Sequence, residues 1–166
     1  MSKRSTATVR ERPVARTTSV TDVVTVHSQT FVVETDSRMQ VIDLTERVMA
    51  LVRTLGVREG VVHVFSMHTT CAVFINEFQQ ALVADMLRFL EHVVAHDGGW
   101  LHNDPAHSDC DRMNADAHLR SMFLGHSLSL QVSGGEIVLG QWQRVLMAEL
   151  DGPRARTLRL QAMGTS

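Results

Sequence analysis

Two hydrophobic periods alternate along the chain, one of two residues and one near 3.6, and the changes between them mark out its elements. From Val20 to Thr35, Val24, Val26, Phe31 and Val33 recur as strand residues do, which predicts two strands or one long bent one. Asp43 and Glu46 have capping-box spacing. Leu44, Val48, Leu51, Val52 and Leu55 then repeat at helical intervals until Gly56, which predicts a first helix. Val61 to Ser66 and Cys71 to Ile75 read as buried strands joined through His68-Thr69-Thr70. Ala81 to His96 predicts the longest helix. Leu82, Met86, Phe89 and Val93 lie beside Val83, Leu87, Leu90 and Val94, a wide apolar face closed by Gly98-Gly99.

A polar loop from Asp97 to Asp111 follows, longer than compact domains keep without a use for it. Asn114 to Phe123 predicts a short third helix ending at Gly125. Leu128, Leu130 and Val132 alternate before Gly134-Gly135, with Ile137 and Leu139 after it, the pattern of a hairpin. Trp142 to Leu150 and Ala155 to Ala162 read as strands joined by an Asp151-Gly152-Pro153 turn. Strands before, between and after helices, with sequential antiparallel strands at the end, predict the α+β class. Residues 20–166 are expected to form one domain, preceded by a disordered basic tail, residues 1–19. That tail holds Lys3, Arg4, Arg10, Arg12 and Arg16 against Glu11. A transit peptide shares its Arg/Ser bias, but no apolar stripe runs through it.

Composition narrows the partners. The 166 residues carry a net charge of −2, which gives no global field to attract nucleic acid or an anionic membrane. No apolar run approaches the roughly 20 residues that span a bilayer. Two cysteines, Cys71 and Cys110, are too few for a disulfide-stapled scaffold, so a cytoplasmic protein is expected. No Walker loop, Rossmann glycine fingerprint, paired Cys-x-x-Cys or Gly-x-Ser-x-Gly elbow is present.

The candidate chemistry lies in the nine histidines. His92 and His96 have the spacing of a metal-binding helical pair, but Val93 stands where the zinc-protease motif needs Glu, and an exposed helix face explains them equally well. His68 at a strand end, His102 in the long loop and His118 on the short helix form a more specific set. Three imidazoles from separate elements are what a catalytic zinc site uses, while local hydrogen bonding is the plainer explanation. Glu77 and Asp104 are candidates for a general base or for orienting a histidine, and Thr69, Asn76, Asn103 and Asn114 for substrate contacts. Turn and cap roles account for Asn103, Asp104 and Asn114 as well. Trp142 reads most simply as core, though an indole beside Gln143 at a pocket rim can stack a flat heterocycle. Arg154 or Arg156 can grip a phosphate or serve as surface charge. Cys71 is either a small buried thiol or a nucleophile near His68.

Taken in order, His68-Thr69-Thr70, Ile75-Asn76-Glu77, His102-Asn103-Asp104, Asn114 with His118, Gly140 with Trp142-Gln143, and Glu149 through Arg154 and Arg156 resemble the YjbQ-like family from about Thr21 to Leu160. The resemblance implies an α+β fold, mostly an antiparallel β-sandwich with two main helices and a short third. It also implies a homotrimer with pockets near subunit boundaries, and a secondary thiamine-phosphate synthase activity. That activity joins a pyrimidine methyl diphosphate to a thiazole phosphate, so a phosphorylated small molecule is the expected partner. Magnesium with the diphosphate, or zinc on His68, His102 and His118, is the expected metal. The residues themselves offer no acidic cluster suited to magnesium pyrophosphate, and a zinc-binding protein or zinc hydrolase using the same histidines is the alternative.

Overall fold

The computed structural model describes residues 22–166, and the tail predicted for residues 1–19 lies outside them. Strand β1 (Thr25–Glu34) and the short β2 (Gln40–Asp43) lead into α1 (Thr45–Leu55). Strands β3 (Glu59–Ser66) and β4 (Cys71–Asn76) precede α2 (Gln80–Val93). A 3-10 turn (Leu101–Asn103) and α3 (Ala115–Leu124) follow. The chain closes with β5 (Ser127–Ser133), β6 (Glu136–Ile137), β7 (Arg144–Glu149) and β8 (Ala155–Thr165). All pairings are antiparallel, in one sheet ordered β1-β8-β3-β5-β6 and another ordered β2-β7-β4. The α+β sandwich expected from the sequence is therefore what the chain forms.

The two sheets share one core. Val62, Val64, Leu130, Val132, Leu158 and Leu160 of the larger sheet meet Cys71, Val73, Val145 and Met147 of the smaller. Val48, Leu51 and Val52 of α1 join the same core, each fully buried aliphatic contributing about 1.5–3 kcal/mol. On the other face of the smaller sheet, Ala72 and Ala148 pack with Leu90 of α2 and Ala117 of α3. Strand β7 is thus covered on both faces, which is why its apolar residues run without alternation.

Several boundaries depart from the pattern. The opening segment is one strand. Strand β2 was not read from the sequence, because four residues held by pairing to β7 carry almost no period. Asp43 does serve the start of α1, accepting from the Thr45 N–H at 2.8 Å and the Thr45 hydroxyl at 2.5 Å. Gly56 ends that helix at φ 73°, a left-handed conformation that favours glycine. Helix α2 stops at Val93 rather than His96, where the buried Arg120 guanidinium takes the Val94 carbonyl at 2.7 Å. Only Leu90 of its apolar face is buried, and Phe89 remains 51% exposed. Strand β7 begins at Arg144, so Trp142 and Gln143 lie in the turn before it. Trp142 is exposed, not core as its size suggested.

Candidate functional site

Residues around the end of β7 form a connected network of buried polar groups. Glu149 is buried and ion-paired with the buried Arg156, whose Nε donates at 2.5 Å and whose Nη2 makes a second bond. The same carboxylate accepts from the Leu150 and Asp151 N–H groups at 2.8 Å each and from the Thr35 hydroxyl at 3.0 Å. Arg156 also donates to the Thr70 hydroxyl at 3.1 Å. Gly152 permits this closure, since a Cβ there would collide with the Ser37 carbonyl and Glu149 Cγ. Both Glu149 oxygens are met and the Arg156 side chain is only 1% exposed, so Arg156 is a structural cation and not an open phosphate ligand.

Asp151, two residues on, has a different surround. Its Oδ2 accepts from Asn114 Nδ2 at 2.8 Å, lies 3.0 Å from Arg112 Nε and 3.1 Å from Arg154 Nη2, and its side chain is 2% exposed. Asn114 was expected to cap α3. Its side chain turns to Asp151 instead, and the Asn103 side-chain oxygen accepts from the Ala115 N–H at 2.9 Å, tying the 3-10 turn to the helix start.

That tie brings His102 beside His118. Their rings meet edge to face, 5.1 Å between centroids and 85° between planes. They line a hollow of 450 Å³ with Trp100, Leu101, Ala115 and Leu119. Burial lowers the His118 pKa, and His102 beside it lowers it further, against the opposing pull of Asp151 and Asp116. His118 is therefore neutral near pH 7, able to donate from one nitrogen and accept at the other. Asn114 sits one helical turn before His118, which sets the Asp151 cluster next to this hollow.

His68 does not join them. It lines a separate hollow of 440 Å³ with Phe65, Ser66, Met67, Thr69 and His126. Its Nε2 accepts from the Thr157 N–H at 2.7 Å, which places the ring proton on Nδ1. Burial, and secondarily Arg156, holds the His68 pKa below the ordinary 6.5 against the pull of Glu149. The expectation that three imidazoles meet in one hollow thus fails within the chain. Among the described residues, no group of three or more His, Cys, Asp or Glu stands where it could hold a metal.

Other candidates settle individually. Asp104 accepts from the Ala106 N–H at 2.9 Å and pairs with His107 at 2.9 Å, a turn role. Asn76 is exposed and accepts from the Glu77 N–H, Thr69 is exposed, and Glu77 makes no side-chain hydrogen bond or ion pair among the described residues. Gln143 closes its own turn by accepting from the Gly140 N–H at 2.7 Å. His96 falls beyond α2 and contacts Asp116 at 3.2 Å, so it shares no helix face with His92. Cys71 is buried, and burial pushes its thiol up to about 11, which removes it as a nucleophile. Cys71 and Cys110 are unpaired. Sequence reasoning missed Arg112, and named Asp151 only within a turn and within the Glu149-to-Arg154 run of the resemblance. The available signal was a second carboxylate two residues after Glu149, at the end of an otherwise apolar strand.

Fold and site together define a small antiparallel α+β protein with an imidazole pair at the start of α3 and a guanidinium pair on the carboxylate that follows β7. The sequence model of the UPF0047 protein YjbQ-like family matches residues 29–165, and the chain belongs to that family. It is 39% identical over 139 residues to a UPF0047 protein of Methanothermobacter thermautotrophicus, covering 84% of this chain and 93% of that one. It is 34% identical to the UPF0047 protein YugU of Bacillus subtilis, covering 82% and 98%. A YbjQ-like protein of unknown function from Sulfolobus solfataricus superposes with a TM-score of 0.80 at 30% identity, over 86% of this chain and all of the other. A hypothetical protein of Aeropyrum pernix gives 0.77 at 38% identity, over 84% and 99%.

Proposed function

We propose that the chain is a transferase of phosphorylated heterocycles with thiamine-phosphate synthase activity, as its resemblance to the YjbQ-like family implies. One observation carries the reading: a hollow walled by Trp100 and two imidazoles adjoins Asn114, which bonds a buried carboxylate that gathers two guanidiniums. The first suits a flat pyrimidine and the second suits its diphosphate. In the reaction the methylene–oxygen bond breaks, its electrons leave with pyrophosphate, and the thiazole nitrogen forms a bond to the same carbon. Charge builds on the leaving oxygens, where preorganised cations lower the barrier. In this reading neutral His118, with His102 against it, hydrogen-bonds the ring nitrogens and amine of the pyrimidine.

The residues do not fit the expected metals well. Magnesium takes carboxylate and water oxygens, yet the Asp151 oxygen is met by three nitrogen donors and Asp104 is held in its own turn. Zinc needs His68 brought to His102 and His118, and His68 lines the other hollow. Charge compensation for the leaving group therefore rests on arginine in this reading.

A homotrimer and a cytoplasmic location belong to the same proposal. The apolar surface left on α2 and α3 supports assembly, where Phe89 and Phe123 stand 6.2 Å apart and are both more than half exposed. No helix among the described residues is long and apolar enough to cross a membrane. Purified protein given both precursors should form thiamine phosphate, and His102→Ala and His118→Ala should each slow it. Unchanged rates in both variants would remove this hollow as the site.

A further inference from the structure

The Asp151 cluster has one positive charge in excess, and the neighbouring pair has none. Glu149 and Arg156 are one anion and one cation, both buried. Asp151 faces two cations, Arg112 with its side chain 51% exposed and Arg154 at 32%, and among the described residues neither arginine pairs with any other carboxylate. Arg112 commits its Nε to Asp151 Oδ2 at 3.0 Å and an Nη2 hydrogen to the Asp151 carbonyl at 3.4 Å, leaving Nη1 uncommitted. Arg154 commits only Nη2 to the carboxylate, at 3.1 Å. Because both guanidiniums touch the same Asp151 oxygen, the two cations are held side by side. Two cations held this near each other repel, and an anion of charge two or more relieves that repulsion where water only screens it.

We infer that Arg112 and Arg154 form the seat of a diphosphate group, with Asp151 as the positioning residue that holds both forks in place. This rests on the transferase reading for the identity of the substrate, but not for the binding of the anion. A buried carboxylate cannot swing to solvent, so the guanidiniums lose little freedom when the ligand arrives. Asn114 donates to the same oxygen and shares its helix start with His118, which puts the seat next to the heterocycle hollow.

Calorimetric titration with inorganic pyrophosphate tests the seat directly. Arg112→Gln should weaken binding by about 10- to 100-fold, the cost of a charge-assisted contact, while Arg112→Lys keeps the charge, loses the fork and falls between. Arg112→Gln should also make the affinity less sensitive to salt, a change that a purely structural arginine would not produce. Asp151→Asn should weaken pyrophosphate with both arginines still present, checked against a folded circular-dichroism spectrum. Equal pyrophosphate affinity in wild type and Arg112→Gln overturns the inference, even if thiamine phosphate is made. Loss of affinity in Arg112→Gln, with no product from wild type, upholds the seat and removes the transferase.

Discussion

Glu149 and Asp151 stand two residues apart, both buried, and the chain surrounds them in opposite ways. Glu149 receives one cation, two backbone N–H groups and a hydroxyl, and its partner Arg156 is 1% exposed. Asp151 receives two cations that reach solvent. A closed, balanced pair fixes structure, because its two charges neutralise each other out of reach of solvent. A carboxylate with more cations than it neutralises leaves donors directed outward, and the comparison separates the arginine that holds the fold from those that can hold a ligand.

The largest expected effect would break the closed side. Glu149→Gln strands a buried Arg156 and should destabilise the chain by about 3–5 kcal/mol, whereas replacing the pair together by Leu and Met should cost much less. Urea unfolding distinguishes the two. On the open side, His118→Ala should lower kcat/KM by about 10- to 100-fold while the unfolding midpoint barely moves. A large loss of stability instead would make His118 part of the scaffold.

A smaller effect follows from pH. His68 and His118 both titrate below the ordinary 6.5 when folded, so the unfolded chain binds more protons beneath that value. The stability they contribute is present above pH 6.5 and is lost as the pH falls through their folded values. Unfolding midpoints should therefore drop on going from about pH 7.5 to 5.5, and His68→Gln should flatten part of that slope. Smallest is the thiol comparison: Cys110, half-buried, should react with a maleimide well before Cys71, whose thiol is pushed up to about 11.

The fold was legible where periodicity was strong. The Leu44–Leu55 repeat, the buried β3 and β4, and the Gly134-Gly135 turn each appear where the pattern placed them, because each is set by burial and local backbone preference. Strand β2 and the end of α2 were not legible. The one depends on pairing with β7 and the other on Arg120 reaching across from α3. The site divides in the same way. His102 and His118 meet because Asn103 bonds to Ala115, a contact between neighbouring segments. His68 was grouped with them on residue type alone, and no local signal says that its loop opens on a different hollow. Arg112 looked like one more charge in a polar loop until the structure set it on Asp151.

Crystallising the protein with pyrophosphate and the hydroxymethyl form of the pyrimidine addresses the central claim most directly. The anion should bridge the unbonded nitrogens of Arg112 and Arg154, with the ring between Trp100 and His118. Anion and ring seated instead beside His68 and His126, with the two arginines still closed on Asp151, would contradict it.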